Sequence, residues 1–246
     1  MAPSLTEVVK TLGIKGARAL GEDDLALDAA AFARIAPELW KVKPLRVLRL
    51  WKATGADLEQ ALARPELREV EELFLFRNRL TEADLQVVVT CEQFTRLRLI
   101  DFKWCGLSGK ACETIARAHP SSFPALRVLS LFGNRVGPKG VHALAASGLM
   151  EQVTHLDLDA NHAGDEAIAA LLSSAAVRNL ETLILDRNET GPLSQKALEN
   201  SAFALRLISA PGLRSSGIEE YGHVCASSHE LLFIEQKRRE TKRETS

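Results

Sequence analysis

One template of apolar and turn positions recurs along this chain and constrains its fold more than any other feature. It runs apolar, two variable, apolar, one variable, apolar, two variable, asparagine or a substitute, one variable, apolar. In LRVLSLFGNRV it is filled by Leu126, Leu129, Leu131, Asn134 and Val136. Five further copies begin at Leu45, Val70, Leu97, Val153 and Leu180. The asparagine position holds Ala53, Asn78, Cys105, Asn134, Asn161 and Asn188, so successive intervals are 25, 27, 29, 27 and 27 residues. A second column keeps the same register: three residues before the six starts stand Val42, Leu67, Phe94, Phe123, Met150 and Val177. The first half of each copy reads as a short strand, and the second half places residues such as Val141, Leu144 and Ala145 at helical spacing. Between the halves stand Gly55, Thr81, Ser108, Gly137, Gly140, Gly164 and Gly191, with Pro138 and Pro192 near helix starts.

A lone strand and helix cannot bury both of their apolar faces, but stacked copies can. The pattern LxxLxLxxNxL in units of about 27 residues resembles the leucine-rich repeat family. The second halves VGPKGVHALAASG and AGDEAIAALLSSA resemble its ribonuclease-inhibitor-like subclass. The resemblance covers roughly residues 45 to 200. It implies an α/β fold, a leucine-rich repeat solenoid shaped as a curved horseshoe arc, with a parallel β-sheet on the concave face and helices on the convex face. Two departures mark its ends. Ala53 cannot make the hydrogen bonds of an asparagine, and Ala163 and Thr190 are poor substitutes at the last apolar position, so the first unit and the last two are expected to be less regular.

Residues 1–44 lack the template and read as an N-terminal helical cap, with helices near Leu5 to Leu12 and Asp28 to Ile35. Residues 45–200 hold the six repeats. Residues 201–235 read as a degenerate repeat and C-terminal cap, and residues 236–246 as a disordered polar tail. Lys plus Arg number 31 against 32 Asp plus Glu, so no overall field draws the chain to nucleic acid or an anionic membrane. The first twenty residues contain no continuous apolar run, which argues against a secretory signal or a span. Cys91, Cys105, Cys112 and Cys225 show no CxxC spacing. Reduced thiols and a cytoplasmic address are the expectation.

Side chains alternate along a strand, so the variable positions beside the buried leucines are expected to face out of the sheet. They divide into two zones. The first four strands present Trp51, Phe74, Phe76, Trp104 and Phe132, five of the thirteen aromatics in the chain, among Val47, Leu99 and Val128. Five half-exposed rings would form a patch of about 400–600 Å², at the upper end of what a monomer shows. Arg49, Lys52, Arg77 and Lys103 fringe it. A protein partner on this face is the expected function, the alternatives being a cap or tail folded over the rings or rings packed together with no partner.

The last two strands present His155, Asp157 and Asp159, with Asp186 beside Asp159 and Arg187 as the nearest cation. This zone reads as a solvated acidic surface with partial local pairing, or as a seat for a partner's basic group. Proteins of similar repeat inhibit nucleases or stimulate small GTPases, which makes regulation of an enzyme through the acidic zone the second functional expectation. No nucleophile, base and acid set, phosphate loop or zinc spacing survives inspection. Ser130, His155 and Asp157 could approach one another, but adjacent strand residues produce such sets easily. The chain is therefore expected to be non-enzymatic, with no cofactor and no metal.

Overall fold

Leucines at alternate positions need one buried face, and a parallel neighbour at each edge supplies the backbone partners. The computed structural model describes residues 3–200. In them, each template copy forms a short strand: β3 Val47–Trp51, β4 Glu72–Phe74, β5 Leu99–Asp101, β6 Val128–Ser130, β7 His155–Asp157 and β8 Thr182–Ile184. They join β1 Arg18–Ala19 and β2 Asp24–Asp28 in one eight-stranded sheet whose spatial order is the order of the sequence. Only the β1–β2 pair is antiparallel. Eight helices accompany the strands: α1 Leu5–Thr11, α2 Ala29–Val42, α3 Gly55–Leu62, α4 Glu82–Val89, α5 Gly109–Ala116, α6 Gly137–Ala145, α7 Asp165–Ser173 and α8 Pro192–Glu199. From α2 onward each helix packs on the next. None is long and apolar enough to cross a membrane among the described residues.

The two N-terminal helices lie where the sequence placed them, α2 running further, to Val42, with Asp28 capping its first turn. The segment is not purely helical, however. β2 pairs in register with β3, Leu25 with Leu48 and Leu27 with Leu50, and buries both of its leucines. Its own pattern is only Leu-Ala-Leu between aspartates, too short to announce a strand; the exposed edge of β3 selects it. The expected C-terminal cap and polar tail lie outside the described residues.

Bonds from the asparagine column tie neighbouring units together. Asn78 donates through Nδ2 to the carbonyls of Leu50 and Leu75, both at 2.8 Å, and accepts at Oδ1 from the Ala53 amide at 2.9 Å. Asn161 donates to the carbonyls of Leu131, Leu158 and Asp159 and accepts from Val136. The last two units do depart from the others, His162 and Glu189 adopting positive φ just after their asparagines, but the alanines leave the ladder intact. Ala53 and Ala163 are buried, and each gives its amide to the asparagine of the following unit, Asn78 and Asn188. The ladder needs the backbone there more than the side chain. Cys105 is a weak rung, its thiol donating to the Leu75 carbonyl at 3.0 Å.

Immediately after the strands, Lys52, Arg77, Trp104, Gly133, Ala160 and Arg187 all adopt positive φ, between 51° and 66°. This left-handed turn swings the chain from strand to helix and aims the side chain at this position outward, beyond the C-terminal edge of the sheet. A side chain there costs on the order of 1 kcal/mol, which the backbone bonds of the turn offset.

Candidate functional site

The sheet has two faces, and the helices cover one of them. On the other, the registers Val47–Glu72–Leu99–Val128–His155–Thr182 and Arg49–Phe74–Asp101–Ser130–Asp157–Ile184 place like positions side by side. Val47, Phe74, Leu99, Val128 and Ile184 form a second apolar cluster there, separate from the main core. This corrects the expected surface, because most of these variable positions are buried. Phe74 is only 4 % exposed, and Leu99, Val128, His155 and Thr182 are fully buried. In parallel strands about 4.8 Å apart, each side chain is shielded on both flanks by its equivalents.

The rings that remain accessible lie at and past the strand ends. Phe76 is 46 % and Trp104 50 % exposed, while Trp51 and Phe132 are half-buried. Trp104 packs edge-on against Phe132, centroids 5.1 Å apart, and lies over Gly133, where a Cβ would stand 2.6 Å from the indole. A larger residue at position 133 would displace the ring. Further toward the N-terminus, Trp51 and Phe76 line an open groove of about 630 Å³ with Leu20, Ala26, Arg18 and Arg49. Leu20, 58 % exposed, and Arg18 come from the region of β1, which sequence reasoning did not find. An exposed leucine beside a two-residue strand leaves no periodic signal to read.

The cationic fringe is largely spent within the fold. Arg49 makes two bonds of 2.8 Å to Asp24 and stacks 3.9 Å above the Phe74 ring, which explains why Phe74 is covered. Lys52 lies 3.3 Å from Asp28, and Lys103 lies 3.7 Å from Asp157 and 5.5 Å above Phe132. Arg77 differs: it is exposed and leans over Phe76 at 5.8 Å.

The acidic zone has the local pairing expected of it but is buried rather than solvated. Asp157 is 2 % and Asp159 3 % exposed. Arg187 grips Asp159 with two bonds, of 2.9 and 2.5 Å, and stacks 5.2 Å from Phe132, so the nearest cation indeed offsets the repulsion between carboxylates. Asp186 remains partly exposed. Burial pushes the Asp157 carboxyl up to about 6, against the pull of Lys103 and the hydrogen bonds from Asp159 and Ser130. Burial likewise lifts Glu72 to about 7, with Arg49 opposing. Ser130 donates directly to Asp157 at 3.2 Å, and His155 turns Nδ1 to the Thr154 hydroxyl at 2.8 Å, so the three residues do not form a serine, histidine and acid relay. The Cys105 and Cys112 thiols are both driven by burial up to about 12, far from a reactive thiolate. Among the described residues no group of His, Cys, Asp and Glu has the geometry to hold a metal ion.

A comparison with protein-family models finds no match to this chain, and none is found among curated proteins.

Proposed function

We propose that the chain is a solenoid of the leucine-rich repeat kind and a non-enzymatic module that binds a protein partner through the aromatic rim of its sheet. The spatial order of the strands and the asparagine bonds across units support the repeat part of this reading. The observation that carries the binding part is the rim itself: Phe76 and Trp104 stand half in solvent, and Trp51 and Phe76 open the groove beside Leu20. Aromatic side chains bury large areas with little loss of rotamer entropy, which is why they anchor interfaces. Arg18 at the groove and Arg77 over the Phe76 ring favour a partner segment that mixes apolar anchors with carboxylates.

The competing reading, regulation of an enzyme through Asp157, Asp159 and Asp186, has less support, because the first two are buried and paired within the fold.

The test is a pull-down with the full chain beside two variants. Replacing Trp51 and Phe76 by alanine should weaken capture by at least about 2 kcal/mol, roughly 30-fold in affinity. Trp51 also packs against the core, so the second variant, Phe76→Ala with Trp104→Ala, removes only exposed rings. Equal capture by the wild type and the second variant, with unchanged circular dichroism, would sink the reading.

A further inference from the structure

The groove beside β1 owes its depth to one row of the sheet. Arg18, Ala26 and Arg49 are direct partners across β1, β2 and β3, and Phe74 continues the row. Long side chains thus flank a single methyl group. With strands about 4.8 Å apart, the two arginine backbones stand about 10 Å from each other across Ala26. Gly16, Arg18 and Leu20, at alternate positions, wall the groove on the side of β1, and Trp51 and Phe76 wall it on the other. At about 630 Å³ it falls within the roughly 300–1,000 Å³ of ligand sites. Its lining is apolar apart from the two guanidiniums of Arg18 and Arg49.

The cations at the groove are not equivalent. Arg49 is neutralised by its two bonds to Asp24, and Lys52 forms a neutral pair with Asp28 close by. Arg18 and Arg77 are exposed, and among the described residues neither makes an ion pair or a side-chain hydrogen bond. Glu72, on β4, compensates them only in part, because burial lifts it to about 7 and leaves it about half protonated at neutral pH. The groove therefore sets uncompensated guanidiniums beside the exposed side chains of Leu20 and Phe76. A guanidinium with its donors free matches a carboxylate in shape as well as charge, offering two parallel N–H groups in one plane.

We propose that the groove receives an extended segment of a partner protein in which an apolar side chain and a carboxylate are close neighbours. The apolar side chain seats over Ala26, between Leu20 and the rings of Trp51 and Phe76, and Arg18 holds the carboxylate. Because Arg18 and Ala26 are direct partners across the strands, that carboxylate lies within two residues of the anchor, about 7 Å along an extended chain. The assignment rests on the reading of the rim as a protein-binding surface and gives that surface its selectivity. Ala26 sets the room for the anchor, and Arg18 sets the charge required beside it.

An array of acetylated and amidated hexapeptides, probed with the full chain, tests it. Each peptide carries Leu, Phe or Trp in a Gly-Ser background, with Glu, Gln or Lys one or two residues away, and the blocked ends remove terminal charges. Glu peptides should be retained at least tenfold more than their Gln counterparts, and Lys peptides least. Arg18→Glu should cut the preference for Glu to below twofold, and Arg18→Lys should keep at least a third of it. Ala26 is not part of the main core. Ala26→Leu, which fills the seat from the solvent side, should lower the retention of every Glu peptide at least fivefold with unchanged circular dichroism. Lys139→Glu makes the same charge change at an exposed position of α6 and should alter nothing. An equal loss in Lys139→Glu, equal retention of Glu and Gln peptides, or no retention of any peptide would overturn the proposal. The rim has its own readout, because Trp104 does not line the groove. A protein whose capture depends on Phe76 and Trp104 but is indifferent to Arg18→Glu and Ala26→Leu would overturn the groove and leave the rim. Equal capture by the wild type and the Phe76 and Trp104 variant would instead remove the rim reading itself.

Discussion

Gly133 and Trp104 define the rim between them. Five residues in the Gly133 column carry side chains at the same positive φ, so backbone strain alone does not demand glycine there. What demands it is the indole of Trp104, which occupies the space a Cβ would need. Gly133→Ala should therefore push the ring out of place, shift the tryptophan emission and cost ~1–2 kcal/mol of stability. Adding Trp104→Ala to that variant should recover most of the loss, and a double-mutant cycle with no coupling would contradict the contact. Nothing in GNRV or KWCG foretells this pairing. The template identified both positions as outward, but which of two neighbouring outward side chains lies on the other depends on the spacing between strands.

Among the elements, the asparagine turns are what bind one strand–helix unit to the next. Each amide side chain satisfies backbone groups from two units that would otherwise be buried without partners, and such groups cost ~1–3 kcal/mol apiece when orphaned. Asn161→Ala removes four hydrogen bonds and should lower stability by at least ~3 kcal/mol in urea unfolding. Cys105→Ala removes only thiol bonds, a weak donor's contribution, and should cost about 1 kcal/mol beyond the lost volume. Comparable losses at the two positions would mean that the ladder does not carry the stacking. This part was legible in advance, because a column spaced 25 to 29 residues and filled by asparagine in four of its six places has few physical uses besides closing a repeated turn. The exception was β2. A strand of five residues with two leucines becomes a strand only when β3 offers it an edge, so no inspection of residues 24–28 alone could find it.

For the whole molecule, the largest departure from expectation is electrostatic. Carboxylates read as solvated lie buried, and the consequence is a pH-dependent stability. The Asp157 carboxyl moves from an ordinary 3.8 to about 6 in the folded chain, so the native state holds its proton more tightly than the unfolded one does. Its contribution to stability is complete below about pH 4 and is lost as the pH rises through 6, at ~1.4 kcal/mol per unit. Asp157→Asn, which is neutral throughout, should therefore gain on the wild type by ~2–3 kcal/mol between pH 4 and pH 7 in denaturant titrations. A pH-independent difference would show that the carboxyl is solvated after all. The repeat template, from its spacing alone, determined the strands from β3 to β8, the helices between them and the face on which the leucines lie, because period-two and helical patterns follow from local geometry. Only the tertiary structure decided which outward side chains remain accessible. Accessibility depends on residues 25 or more positions away: Arg49 reaches Asp24 and shuts Phe74 in, Arg187 takes Asp159, and the strand ends leave Phe76 and Trp104 in solvent.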